Sequence, residues 1–123
     1  MKLRIRGNSV RIRVSQSEMI QIMDLGFVED SVEFAPGQRL DYAVKVITYG
    51  EVSASYKESK ISVLLPKSSI ETWNDPSEIS VKGEQQLENG GVLTILIEKD
   101  FACLVPRKSE EEADLFPNPR KAK

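Results

Sequence analysis

Residues 2–13 read Lys-Leu-Arg-Ile-Arg-Gly-Asn-Ser-Val-Arg-Ile-Arg, and Val14 completes the pattern. Leu3, Ile5, Val10, Ile12 and Val14 alternate with Lys2, Arg4, Arg6, Arg11 and Arg13, which is the period-two signature of half-buried strands. Gly7-Asn8 supplies two residues that tolerate positive φ, as a tight hairpin turn requires. With the turn there, Ile5 faces Val10 and Leu3 faces Ile12, while Arg4 faces Arg11 and Lys2 faces Arg13. The apolar register agrees with itself. The chain therefore opens with a β-hairpin that is apolar on one face and cationic on the other.

The pattern changes directly after the hairpin. Ser15 followed by Glu18 is a capping box. Met19, Ile22 and Met23 share one face of a helix over about 16–25, and Gly26 suits its end. A meander follows. Val32 and Phe34 lead into the turn at 35–38, and Leu40, Tyr42, Val44 and Val46 alternate. Val52, Ala54 and Tyr56 then pair with Ile61, Val63 and Leu65 across a Glu58-Ser59 turn. Residues 68–73 suit a short helix stopped by Asp75-Pro76, with Trp73 packing it onto the sheet. Ile79–Val81 is a short strand. Val92–Ile97 is apolar on both faces and reads as a central strand. Residues 98–100 either turn the chain or continue the strand toward Phe101. No internal repeat is visible in the sequence.

These elements predict a strand-rich α+β fold: an antiparallel sheet, open or curled toward a barrel, with the 16–25 helix on one face. With 123 residues, 40% hydrophobic and 29% charged, the composition is that of one ordinary globular domain. The predicted domain covers 1–105. Residues 106–123, charged and proline-containing, read as a mostly flexible tail with an apolar anchor at Leu115-Phe116. The lone Cys103 forms no internal disulfide and reads as a buried structural cysteine. No apolar run approaches bilayer-spanning length, and the expectation is a cytoplasmic protein.

The ends of the chain carry a resemblance. The N-terminal KLRIRGNSVRIR and the C-terminal LIEKDFACL, followed by an acidic stretch and FPNP, resemble a family of small bacterial proteins known only as a domain of unknown function. The resemblance implies a bacterial cytoplasmic protein. It implies no activity, ligand or catalytic residue.

Charge is distributed unevenly. Residues 1–13 hold five cations and no acid, whereas residues 14–105 hold 15 acidic and 7 basic side chains. Like charges facing each other on a sheet are destabilising, so the cationic face formed by Lys2, Arg4, Arg6, Arg11 and Arg13 requires an explanation. One explanation is a site for an anionic partner, such as nucleic acid or polyphosphate. The plainer one, favoured by the sequence, is neutralisation within the domain by Glu33, Asp41 or Glu98, or by Glu110, Glu111, Glu112 and Asp114 of the tail. No aromatic residue interleaves the arginines, which disfavours single-strand stacking.

The absence of histidine excludes Ser-His-Asp and Cys-His catalysis and imidazole zinc sites. No cofactor motif occurs, so none is expected. Three function classes remain, in this order. The first is a non-enzymatic protein-interaction module, for which a homodimer is allowed. The second is a polyanion binder. The third is an enzyme on phosphorylated substrates, with Glu98 and Asp100 holding a metal.

Overall fold

The computed structural model describes residues 1–101 and 114–117. Its order is β1 (Lys2–Ile5), β2 (Ser9–Val14), α1 (Gln16–Leu25), β3 (Phe27–Ala35), β4 (Gln38–Ile47), β5 (Ser53–Lys57), β6 (Lys60–Pro66), α2 (Lys67–Trp73), β7 (Ser80–Gln86) and β8 (Val92–Lys99). The strand-rich α+β class follows from the alternation read in the sequence.

The opening hairpin has the expected register: Leu3 opposite Ile12, Arg4 opposite Arg11, Lys2 opposite Arg13. Arg6 and Ser9 exchange backbone hydrogen bonds at 3.2 Å around Gly7-Asn8, with Gly7 at φ +55°. The turn at Glu58-Ser59 holds both residues at positive φ, as a primed two-residue turn demands. α1 has its capping box: Ser15 Oγ accepts from Glu18 N and Glu18 Oε1 accepts from Ser15 N.

Two features depart from the sequence expectation. The strands form two sheets rather than one, in the orders β1-β2-β8-β7 (sheet 1) and β3-β4-β6-β5 (sheet 2), and neither closes into a barrel. The central pair of each sheet, β2–β8 and β4–β6, is parallel. Short turns do make antiparallel hairpins, but they say nothing about which hairpins then lie side by side. In both sheets the second strands of two hairpins meet.

The two sheets have the same construction. The chain consists of two ββαββ halves that exchange hairpins. The partners Leu3 and Ile12 recur 51 residues on as Ala54 and Val63, and α1 begins at Gln16 as α2 begins at Lys67. Val28 and Val44 recur 53 residues on as Val81 and Ile97. The parallel pair Val14–Lys99 in sheet 1 has Leu65–Val46 as its counterpart in sheet 2. This internal repeat, which the sequence does not display, relates the halves by an approximate two-fold.

The core obeys the same relation. Ile12, Val14, Met19 and Ile22 are buried, and so are their counterparts Val63, Leu65, Ile70 and Trp73. Trp73 is fully buried and its indole N–H donates to Ile79 O at 3.1 Å. At the β5–β7 edge the sheets approach closely: a Cβ on Gly83 would stand 2.7 Å from Val52 Cβ. Among the described residues, no helix is long and apolar enough to cross a membrane.

Candidate anion site on the first hairpin

On the outer face of sheet 1, the alternation of β1 and β2 places Lys2, Arg4, Arg11 and Arg13 side by side, with Arg6 at the turn. The next strand, β8, contributes Thr94, Leu96 and Glu98 opposite Ser9, Arg11 and Arg13. Glu98 supplies part of the neutralisation that the sequence suggests. Its Oε1 lies 3.2 Å from Arg11 Nε and 3.2 Å from Arg13 Nε, so one carboxylate serves two guanidiniums. Lys2 Nζ is 2.8 Å from Asp100 Oδ2.

Arg4 and Arg6 are different. Both are exposed, and neither forms an ion pair with a described residue. With Arg11, Ser9 and Thr94 they border a cleft of about 190 Å³. The Ser9 hydroxyl is turned onto Arg6 O at 2.6 Å. The cleft therefore offers guanidinium N–H groups from three arginines, with one carboxylate at its margin. Such planar forks suit phosphate or carboxylate oxygens.

The other residues singled out in the sequence lie elsewhere. Asp41 is on β4 in sheet 2 and pairs with Arg39 at 3.0 Å, and Glu33 is on β3, so neither neutralises the hairpin. Cys103 and Glu110, Glu111 and Glu112 lie outside the described residues. Asp114 meets α1 rather than the arginines: its carboxylate accepts from Ser17 N at 3.1 Å and from the Ser17 hydroxyl. The hydroxyl hydrogen bond, more than any charge, holds Asp114 below the usual carboxylate range. Leu115 is buried beside it, and Phe116 N donates to Asp100 O at 2.9 Å.

Glu98 and Asp100, considered above as metal carboxylates, are each engaged by cations. Among the described residues, no cluster of three or more His, Cys, Asp or Glu side chains is arranged to hold a metal. Lys99 between them points inward, is 5% exposed, and was not singled out by the sequence as a site. The signal for it was a lysine on the apolar face of an otherwise apolar strand. Burial pushes its ammonium below the usual lysine value, against the opposing fields of Asp75 and Glu78.

No curated protein and no solved structure matches the chain. A family of unknown function (DUF7009) matches residues 1–120, nearly the whole of the chain described above. The protein, with its paired ββαββ halves and arginine-bordered cleft, belongs to that family.

Proposed function

We propose that the protein is a non-catalytic binding module whose first hairpin seats the phosphate groups of a polyanionic partner between Arg4, Arg6 and Arg11. The observation that carries this reading is the internal repeat. Where the first hairpin sets Arg4 opposite Arg11, its counterpart in the second half sets Ser55 opposite Ser62. The second hairpin keeps a facing lysine pair, Lys57 and Lys60, beside its turn, but at this mid-strand position it is neutral, so the fold does not require the arginine pair. Facing arginines cost stability, and a partner that spreads negative charge over them offsets that cost. Aromatic platforms are lacking, so contacts to phosphate oxygens rather than stacked bases account for the binding.

The test replaces the arginines with the residues of the second hairpin. Titration calorimetry with tripolyphosphate and with a short DNA duplex, at 50 and 200 mM salt, separates a small oligophosphate from a nucleic-acid backbone. Arg4→Ser/Arg11→Ser is expected to weaken binding at least about tenfold, in line with the loss of two charge-assisted contacts. The variant should fold, since the serine pair already exists in this architecture. Equal binding by the variant, or no binding of either probe by the unaltered chain, rejects the reading.

A protein partner, a second copy of the chain included, is the second reading. It rests on the large apolar side chains Ile20, Leu25 and Phe27, which stand exposed around the C-terminal half of α1.

A further inference from the structure

Lys99 lies on the inner face of β8, and its Nζ donates to Asp75 O at 2.9 Å. It also sits 5.5 Å from the centroid of the Phe116 ring. No carboxylate among the described residues forms an ion pair with it. The nearest candidate, Asp75, spends its Oδ1 on Ser77, accepting from the backbone N at 2.9 Å and from the hydroxyl at 2.7 Å. An ammonium has three donors, and one hydrogen bond plus a ring face leaves it under-satisfied. A buried charge in that condition is costly.

The repeat shows that the fold does not require this charge. The counterpart of Lys99 is Val46, whose backbone N donates to Gly26 O as that of Lys99 donates to Ile79 O. The two surroundings differ as well. Around Val46 the space is a shallow, open recess, whereas Lys99 lines a partly open cavity of about 450 Å³ bordered by Phe116 and Pro117. That volume lies in the range of small-molecule sites. Its walls are apolar and aromatic: Met19, Pro76, Phe101 and Phe116. The two phenylalanine rings meet edge to face, with centroids 5.9 Å apart. Asn74 adds one neutral polar group.

We propose that this cavity binds a small aromatic monocarboxylate, with its carboxylate on Lys99 Nζ and its ring against Phe101 and Phe116. One buried cation matches one negative charge, and a phosphate dianion would leave charge unpaired. The Asn74 amide supplies a further donor to the carboxylate. The ring completes a cluster that already prefers edge-to-face geometry. The depressed basicity of Lys99 agrees with the same picture, because burial takes its ammonium out of water.

The experiment follows amide resonances of the full chain during titration with benzoate and with benzamide, its neutral near-isostere. Benzoate is expected to move Asn74, Phe101 and Phe116, and benzamide to bind at least about tenfold more weakly. Lys99→Met, which keeps length and removes charge, is expected to lose at least about tenfold in benzoate affinity at this cavity, whereas in Arg4→Ser/Arg11→Ser the benzoate-induced shifts of Asn74, Phe101 and Phe116 persist. The comparison of benzoate with benzamide uses the unaltered chain and stands even if Lys99→Met fails to fold. Equal affinity for the two probes overturns the proposal. So does undiminished binding by folded Lys99→Met, a response confined to the arginine cleft, or no response to millimolar benzoate.

Discussion

Lys99 shows what a single residue contributes against the fold. Its stem fills a core position, but its buried charge forms no ion pair among the described residues and costs stability wherever the amine is protonated. With its native value held below the ordinary 10.5, both states carry the proton at low pH, and the folded state bears the full penalty. Between the native value and 10.5 the unfolded chain binds more protons, so stability rises with pH through that window. Lys99→Met is therefore expected to be more stable than the unaltered protein at pH 7, by about 1–3 kcal/mol, as when buried ions are replaced by apolar side chains. Its advantage should shrink as pH approaches 10.5. Urea unfolding at a series of pH values reads both effects, and an advantage independent of pH would show that the charge is not the cause. The sequence showed a lysine in an apolar strand, but only the packed rings of Phe101 and Phe116 turn it into a buried cation.

At the scale of elements, the opening hairpin and α1 were legible because local chemistry specifies them. Gly7-Asn8 sets the hairpin register, and Ser15 with Glu18 and Gly26 sets both ends of the helix. α2 is a contrast, with Pro66 at its N-cap and no side-chain hydrogen bond there. It is held by burying Ile70 and Trp73 rather than by capping. Ser15→Ala is accordingly expected to cost about 1 kcal/mol, lowering Tm by about 3–6 °C in a thermal melt. A change below about 1 °C would mean that Asp114, already bonded to Ser17, caps the helix adequately alone. The parallel pairs β2–β8 and β4–β6 were not legible. No turn connects those strands, and their pairing follows from which hydrophobic faces are left over once the hairpins have formed. The cleft was half legible: the cations were evident, but the share of them that Glu98 neutralises depended on β8 lying next to β2.

For the whole molecule, the repeat was hidden because its halves share hydrophobicity rather than identity. Ile22 answers to Trp73 and Arg11 to Ser62, and the offset changes from 51 to 53 residues between helix and strand. Exchange of hairpins makes each half depend on the other, since β2 needs β8 and β4 needs β6. Cutting the link between Ile47 and Ser53 should leave fragments 1–50 and 51–123 that associate one to one when mixed. Trp73 fluorescence, blue-shifted only in the mixture, would report it, and two fragments that each fold alone would contradict the exchange. The same topology dictates an order of assembly during synthesis. All four strands of sheet 2 lie within residues 27–66, so a nascent chain can complete it while α2, β7 and β8 have yet to be made. Sheet 1 joins strands such as those of Arg13 and Glu98, 85 residues apart. Until β8 emerges, the cationic hairpin waits on the ribosome with its inner edge unpaired.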